Sequence, residues 1–251
     1  MTNESVEDAR PRTHGGHRHA QKKSGSWKLF FRDLLIIFVA AILISFLIKT
    51  FLVRSFYIPS SSMENTLQIE DRILVNQLEP DLFAISHGDV VVFTDPGGWL
   101  PAISNEPQNW FVGAVDGVLA FVGLSAPDSS NHLIKRVIGL PGDTVECCND
   151  FGQILVNGVP LEEPYIVLPD AVTKATRDDF SVTVPDDSIW VMGDNRYNSA
   201  DSAFHKDDPN GGFVKIGSVV GRAMLISWPT ERWGLLDNYP TTFQQVTQNA
   251  E

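Results

Sequence analysis

The sequence predicts a mainly β protein, in which a coiled antiparallel β-sheet or partial barrel follows a single N-terminal transmembrane helix. Two features predict this fold class: an uncharged apolar run near the N-terminus, and a following region of short β-branched runs separated by Gly, Pro, Asn and Asp. With 251 residues, of which 43% are hydrophobic, the chain is long enough to bury a substantial core in one large or two modest domains.

The N-terminal tail, residues 1–26, is polar and charged without apolar periodicity, and we expect it to be disordered. Residues 1–33 hold seven Lys and Arg against four Asp and Glu, so the formal charge of −12 divides into +3 there and −15 over residues 34–251. Because phosphate groups are bound by clustered Lys and Arg, this acidic body argues against nucleic acid as a partner.

The apolar run Leu34–Ile48 contains fifteen uncharged residues, fewer than the roughly 20 that span a bilayer. Apolar residues on both sides extend it and flanking basic residues can reach the headgroups, so we predict a signal anchor over residues 27–53. A cleaved secretory signal fits less well because no small-x-small site follows the run, and a buried core helix fits poorly with so uniform a run. The excess of Lys and Arg before the run places the tail in the cytoplasm and residues 54–251 outside the membrane.

The region after the anchor reads as a succession of short strands. The predicted strands are Arg72–Asn76, Val90–Phe93, Leu133–Ile138, Gln153–Val156, Phe180–Val184, Ile189–Met192 and Val219–Ile226. Many short strands with turn signals between them are typical of an all-β body, here residues 54–251. Residues 95–131 fit this pattern poorly. Their apolar segment 110–124 carries Asp116 and three glycines, so we expect a core helix or an interface-lying helix rather than a second span.

The two cysteines, Cys147 and Cys148, are adjacent in the sequence. One vicinal pair provides neither a disulfide framework nor a metal-ligand spacing. Because a bond between neighbouring cysteines is strained, we expect two free thiols, with a strained vicinal disulfide as the alternative. The chain contains no His-Glu-x-x-His motif and no phosphate-binding Gly-rich loop, so we predict neither a metal nor a cofactor.

The stretch 56–67 is the first candidate for chemistry. Pro59 fixes its own φ and favours an extended conformation at Ile58, so the chain arrives extended and then turns at three serines that can hold a hydroxyl in place. A polar turn between two strands is the alternative interpretation. Two observations favour Ser62 as a nucleophile. The stretch lies just after the anchor, and two polar motifs, Ile134-Lys135-Arg136 and Gly193-Asp194-Asn195-Arg196, occur later in the chain.

A serine hydroxyl needs a neighbouring base to become a nucleophile. His87, His132 and His205 lie outside the tail, but none belongs to a recognisable triad signature. Alternation along the strand Leu133–Ile138 gives Lys135 purely apolar neighbours on its own face, which suits a desolvated, neutral amine. The alternative is an exposed lysine on an edge strand.

A polar loop, residues 193–202, follows the predicted strand at Ile189–Met192. Such loops commonly satisfy only their own backbone hydrogen bonds. The functional interpretation assigns the Ser199 hydroxyl to orienting the lysine. Asp194, Arg196 and Asp201 then brace the loop through charge-assisted hydrogen bonds.

These stretches together resemble bacterial type I signal peptidase, a family of membrane-anchored Ser/Lys proteases that remove signal peptides from exported preproteins. The matching segments follow the family's order and are residues 58–67, 88–93, 134–143, 192–202 and 221–223. The resemblance implies Ser62 as nucleophile, Lys135 as general base, and a hydrogen bond from Ser199 to the lysine.

The resemblance further implies an oxyanion hole made by the Ser60 hydroxyl and the Ser62 backbone N–H. It implies that Phe56 and Ile58 line shallow pockets for the small residues of an Ala-x-Ala-like segment. Exported preproteins and the lipid bilayer are the implied partners.

The chain departs from the family pattern at Tyr197, where aspartate is frequent, and at Ala203, where arginine is frequent. Ser61 stands where glycine is common, and residues 205–211 look like an added loop. Two other functions stay open at this point: a Ser/Lys peptidase that cleaves itself or a regulatory partner, and a non-enzymatic, membrane-tethered β-domain that binds a cell-surface partner.

Overall fold

The computed structural model describes residues 26–100 and 131–249. The expectations for a disordered tail before residue 26, for most of the 95–131 insertion and for its apolar segment 110–124 therefore lie outside the described residues. The chain divides into two compact units, Met1–Ser45 and Phe46–Glu251.

The first helix, α1, runs from Ser26 to Phe51. It contains no Gly or Pro and is rich in Leu, Ile and Phe, so nothing in its sequence interrupts helical hydrogen bonding. Its 26 residues span about 39 Å at 1.5 Å per residue, longer than the ~30 Å hydrocarbon core of a bilayer. Among the described residues, the segment Trp27–Ile48 is the one stretch long and apolar enough to cross a membrane, and none of it is buried. The predicted N-terminal apolar helix is confirmed.

Twelve strands follow α1 among the described residues. They are β1 (Val53–Tyr57), β2 (Arg72–Asn76), β3 (Val90–Thr94), β4 (His132–Gly139), β5 (Thr144–Cys147), β6 (Ile154–Val156), β7 (Val159–Pro160), β8 (Phe180–Thr183), β9 (Ser188–Met192), β10 (Val214–Lys215), β11 (Val219–Trp228) and β12 (Gly234–Leu235). A second helix, α2 (Pro240–Asn249), ends the described chain.

The strands form two antiparallel sheets. The larger has the order β1-β2-β11-β3-β4-β9-β10, with β12 paired to β11, and the smaller has the order β7-β6-β5-β8. The mainly β, antiparallel prediction is confirmed. The larger sheet is open, because the described strands do not pair β1 with β10 to close a barrel.

The local sequence explains the turn between β6 and β7. Asn157 and Gly158 connect β6 to β7 with φ values of 52° and 76°, which is the primed turn that the Asn-Gly pair favours. All seven predicted strands are present, with ends that match or differ by at most two residues. Five strands were not predicted: β1, β5, β7, β10 and β12. The helix α2, whose Phe243 and Val246 are buried, was not predicted either.

Two apolar clusters position the site. One joins the sheets and contains Ile138 and Trp190 from the larger sheet with Val145 and Ile154 from the smaller. The other lies beneath the serine-rich turn. Its members include Phe56, Ile58, Met63, Leu67, Ile73, Val75, Val90 and Val92. The turn is therefore attached to the core on both sides of Ser62.

The two cysteine sulfurs are bonded to each other in the structure. The expectation of two free thiols is therefore wrong, and the alternative, a vicinal disulfide, describes the molecule. Cys147 ends β5 and Cys148 follows it, and both face a surface hollow beside Asp179 and Phe180.

Two glycines with similar backbone angles allow packing to be separated from backbone strain. Gly88 (φ +80°) and Gly142 (φ +85°) both lie in the left-handed region, but a Cβ at Gly88 would overlap the Asn238 carbonyl whereas nothing lies within 4 Å of one at Gly142. We expect Gly142→Ala to lower the free energy of unfolding by about 1 kcal/mol, and Gly88→Ala to lower it by at least about 2 kcal/mol more. Thermal unfolding of the full chain in detergent measures both. Equal losses would show that the Asn238 contact has no energetic consequence.

Candidate active site

Ser62 and Lys135 meet in the folded protein although 73 residues separate them. A hydrogen bond of 2.7 Å joins Lys135 Nζ and Ser62 Oγ. Ser62 lies in a single 3-10 turn, Ser61–Met63, and Lys135 lies in the middle of β4. Both residues are buried, with 6% and 3% of their surface exposed. A hydroxyl paired with a buried amine is the arrangement that serine activation by lysine requires.

The serine-rich turn is held in place from three directions. Met63 and Leu67 are fully buried, so they fix the turn to the core beneath it. The Ser60 hydroxyl oxygen accepts the Ser62 N–H at 3.2 Å, which closes the turn locally. The Asn195 N–H donates to the Ser62 carbonyl at 3.1 Å, so the polar loop holds the backbone of the candidate nucleophile directly.

The Lys135 amine is buried, and this burial lowers its pKa from 10.5 to about 8. The negative charges of Asp201 and Asp194 oppose the shift, because they favour the ammonium form. Near pH 8 a large fraction of the amine is therefore neutral. A neutral amine beside Ser62 Oγ can accept the hydroxyl proton.

A buried ion pair connects the lysine strand to the polar loop. Arg136 Nε and Nη2 donate to the two carboxylate oxygens of Asp194 at 2.9 and 2.8 Å, and both side chains are completely buried. Thr66, just after the serine-rich turn, also donates to Asp194. The Arg136 guanidinium lies 4.1 Å from the ring centre of Tyr165. The pair therefore joins β4, the loop and the turn at one point.

Sequence reasoning assigned Asp194 a bracing role but missed its partners. Arg136 follows Lys135 directly, and the structure buries both members of this Lys-Arg pair. Two adjacent basic residues inside one apolar strand are costly to bury without partners, and that was the signal available in the sequence.

The other two predicted bracing residues also bond within the loop region. Arg196 forms a buried ion pair with Glu163, in which Nη1 and Oε2 are 2.9 Å apart, and its Nε donates to the Gly193 carbonyl at 3.1 Å. The Asp201 carboxylate accepts the backbone N–H groups of Gly193 and Ala203 at 2.9 and 3.1 Å.

Ser199 lies beside the Ser62 backbone, but the hydrogen bond predicted from its hydroxyl to Lys135 is not formed. Its hydroxyl oxygen is buried and has no hydrogen-bond partner among the described residues. A Cβ added at Gly193 would overlap both the Ser199 hydroxyl and the Ser62 carbonyl oxygen, so these two groups are close neighbours. Only glycine fits at residue 193, a packing constraint that the sequence did not reveal.

The two groups expected to form an oxyanion hole are adjacent. The Ser62 N–H and the Ser60 hydroxyl are bonded to each other at 3.2 Å, and Ser60 is exposed. A substrate oxygen placed between them would replace this internal hydrogen bond. Both donors could then point at the same oxyanion.

The residues expected to line the substrate pockets are buried beside the turn. Phe56 and Ile58 have 3% and 2% of their surface exposed. They line a shallow cleft, which we call the β3-side cleft. Its other walls are Tyr57, Pro59, Ile73, Val92, His132, Leu133 and Ile134.

The three histidines outside the tail have other neighbours. His87 pairs with Asp143 at 2.7 Å, and His205 pairs with Asp208 at 2.7 Å. The His132 ring meets the ring of Phe56 edge-on at 5.3 Å.

One set of metal-type donors lies close together among the described residues: Cys147, Cys148 and Asp179. Its two sulfurs are bonded to each other, so the set offers no thiolate pair to a metal.

Comparison with known proteins places the chain among peptidases. The family model described as "Signal peptidase, peptidase S26" matches residues 31–228. Signal peptidase I of Mycobacterium tuberculosis (strain CDC 1551 / Oshkosh) is 39% identical over 222 residues, which cover 82% of this chain and 75% of the relative. A probable signal peptidase I of Mycobacterium leprae (strain TN) is 37% identical over 246 residues, covering 87% and 82%. A crystal structure of a signal peptidase I from Enterococcus faecalis V583 is 26% identical with a TM-score of 0.34, covering 55% of this chain and 95% of that one.

The lowered pKa of Lys135 predicts a pH-dependent stability. Below pH 8 the folded protein buries an ammonium group, so we expect Lys135→Met to raise the free energy of unfolding by up to about 3 kcal/mol. Between pH 8 and 10.5 the unfolded chain holds the extra proton, so wild-type stability rises with pH and the advantage of the variant shrinks.

Calorimetry of the full chain in detergent micelles, from pH 6 to pH 10, measures this difference. Lys215→Met is the matched control, because the Lys215 side chain is 63% exposed. A Lys135→Met variant that is no more stable than wild type at pH 6 would contradict the buried-amine interpretation.

Proposed function

Because the chain belongs to the signal peptidase family, peptidase S26, we propose that it cleaves N-terminal signal peptides from exported preproteins after an Ala-x-Ala-like segment. Ser62 is the nucleophile and Lys135 is the general base in this proposal. The observation that supports it most directly is the 2.7 Å hydrogen bond between the Ser62 hydroxyl and the buried Lys135 amine.

Acylation begins when neutral Lys135 takes the proton of the Ser62 hydroxyl. The Ser62 oxygen bonds to the carbonyl carbon of the scissile peptide, and the carbonyl electron pair moves to its oxygen. The Ser62 N–H and the Ser60 hydroxyl stabilise this oxyanion. As the intermediate collapses, the C–N bond breaks and the Lys135 ammonium gives its proton to the leaving amine.

Deacylation uses the same groups with water in place of the leaving amine. Lys135, neutral again, takes a proton from a water molecule while the water oxygen attacks the acyl carbon. The second tetrahedral intermediate collapses when the bond to Ser62 breaks. The proton then passes from Lys135 to the Ser62 oxygen, which restores the starting state and releases the signal peptide as an acid.

Substrate selection follows from the β3-side cleft. Phe56 and Ile58 form its apolar floor together with Ile73 and Val92, all of which are buried. A shallow apolar cleft accommodates small side chains and excludes large ones by overlap. This agrees with an Ala-x-Ala-like segment before the cut.

We propose that the protein is located in the cell membrane and crosses it once. Residues 27–53 anchor it, the basic N-terminal tail faces the cytoplasm, and residues 54–251 lie outside. The apolar helix α1 and the excess of Lys and Arg before it support this orientation. An apolar substrate segment in the same bilayer would then be presented to the enzyme without diffusion through water.

Substitution of the catalytic pair tests the proposal. Ser62→Ala and Lys135→Ala should each lower processing of a purified precursor by at least about 10³-fold, because acylation loses its nucleophile or its base. The N-terminal sequence of the product locates the cut. Ser61→Ala is the matched control at the neighbouring serine and should retain activity within about tenfold of wild type.

Two outcomes would point to the alternative functions. Cleavage of the chain itself without cleavage of a precursor added in trans would favour a self-processing peptidase. A Ser62 that no serine-directed acylating probe modifies would favour a non-enzymatic domain.

The pH dependence of the rate tests the role of Lys135. Activity requires the neutral amine, so kcat/KM should rise about tenfold per pH unit below the pKa of about 8 and level off above it. Asp201→Asn should move the midpoint to lower pH, because the Asp201 charge raises the pKa of Lys135. A wild-type profile that stays flat down to pH 4 would exclude lysine as the base.

A further inference from the structure

A hollow on the smaller sheet contains the two bonded cysteines and is separate from the proposed catalytic pair. It has a volume of about 500 Å³, and neither Ser62 nor Lys135 lines it. Cys147 is 5% exposed at its wall, and Cys148 is partly exposed. The exposed side chain of Asp179 lines the same space. We call this space the disulfide hollow.

Strand pairing brings a carboxylate to the cysteines. β5 pairs with β8, and Cys147 at the end of β5 lies opposite Phe180 at the start of β8. Asp179 precedes Phe180, so it reaches the cysteines although it is distant from them in the sequence. A carboxylate oxygen of Asp179 lies within 4.8 Å of both sulfurs. The sequence alone predicts no metal site, because the third donor comes from a neighbouring strand rather than from a nearby position in the chain.

A buried hydroxyl can stabilise a thiolate at Cys147. Thr176 is 8% exposed, and its hydroxyl oxygen lies 2.9 Å from Cys147 Sγ and 2.8 Å from the Asp178 carbonyl oxygen. The hydroxyl carries one proton, which it can donate to the sulfur once that sulfur is negatively charged. Such a hydrogen bond favours the thiolate, which is the metal-binding form of cysteine.

The Asp179 carboxylate already binds one cationic group in the structure. Lys174 Nζ lies 2.6 Å from Asp179 Oδ1, and 68% of the Asp179 side chain is exposed. Because an exposed ion pair contributes little to stability, a divalent cation can compete with the ammonium group for this carboxylate. Asp179 therefore offers a negatively charged oxygen ligand on the open side of the sulfurs.

We propose that the disulfide hollow binds a thiophilic divalent cation, such as Zn²⁺, when Cys147 and Cys148 are reduced. The two thiolates and the Asp179 carboxylate are its protein ligands, and water completes the coordination. Thiolate ligands select such an ion over Mg²⁺ and Ca²⁺, which prefer oxygen ligands. The site is independent of the proposed function, because neither member of the catalytic pair takes part.

Reduction is required because the two sulfurs are bonded to each other. A dithiol supplies the two electrons. Its first thiolate attacks Cys148 Sγ, the more exposed sulfur, so that the S–S bond breaks and Cys147 leaves as a thiolate. The second thiolate attacks the reagent sulfur of this mixed disulfide, which releases Cys148 and closes the reagent's own disulfide. The two reagent protons pass to solvent, and the cation binds the two protein thiolates.

A cadmium titration of the full-length chain in detergent tests the proposal. Cd²⁺ has the charge of Zn²⁺ and a preference for thiolates, and it absorbs in the ultraviolet when thiolates bind it. The protein is reduced with dithiothreitol, which is then removed in the absence of oxygen. We expect about one Cd²⁺ per reduced chain with the thiolate absorption, because the hollow holds one set of donors. The untreated protein should show none of this absorption.

Two adjacent aspartates provide a matched pair of variants. Asp179→Asn should weaken Cd²⁺ binding by at least about tenfold, because an amide oxygen is a poorer ligand than a carboxylate. Asp178→Asn should bind Cd²⁺ like wild type, since the Asp178 side chain is 78% exposed and lies outside the hollow. Cys148→Ala should lose tight binding, because a single thiolate remains.

Three outcomes would overturn the proposal. Binding of Cd²⁺ to the reduced chain without the thiolate absorption would place the ion elsewhere, for example on His14, His17 and His19 of the tail. Equal affinities of Asp179→Asn and Asp178→Asn would exclude the carboxylate ligand. Equal absorption by the treated and untreated proteins would exclude the requirement for reduction. Precursor cleavage is not the readout, so each of these results leaves the proposed function unaffected.

Discussion

The structure depends on keeping one amine buried beside one hydroxyl. An ammonium group is strongly hydrated, so enclosing Lys135 costs folding free energy while the amine carries its proton. The same burial brings its pKa to about 8 and makes the neutral form accessible. Two acidic side chains, Asp194 and Asp201, lie close enough to limit that shift. The surroundings of Lys135 thus balance desolvation against nearby negative charge.

Two buried ion pairs and a buried carboxylate that accepts backbone N–H groups, Asp201, surround the site. Arg136 bonds Asp194 through two hydrogen bonds, and Arg196 pairs with Glu163. Each pair crosses between chain segments that are distant in sequence. Breaking one partner of such a pair leaves an uncompensated buried charge, so these pairs fix the relative positions of the turn, β4 and the polar loop. In contrast to these charged side chains, the buried hydroxyl of Ser199 has no hydrogen-bond partner among the described residues.

The position of β4 in the larger sheet brings the two groups of candidate site residues together. In an antiparallel sheet, neighbouring strands offer side chains on either side of a central strand, and β4 is such a strand between β3 and β9. Val92 of β3 lines the apolar β3-side cleft, whereas the polar loop that contains Asp194, Ser199 and Asp201 follows β9. Lys135 in β4 therefore lies between an apolar cleft on one side and a polar loop on the other.

The sequence by itself determined the apolar helix, seven of the twelve described strands, the family and the two residues of the proposed catalytic pair, because these depend on local patterns of hydropathy, turn residues and motifs. Short strands such as β10 and β12 carry too few residues to form a pattern, so pairing with neighbours decides them. Tertiary structure alone decided that Arg136 pairs with Asp194, that residue 193 must be glycine and that the Ser199 hydroxyl does not reach Lys135. It likewise decided that Cys147 and Cys148 are bonded. These are contacts set by side-chain distances in three dimensions, and neither composition nor spacing along a chain contains those distances.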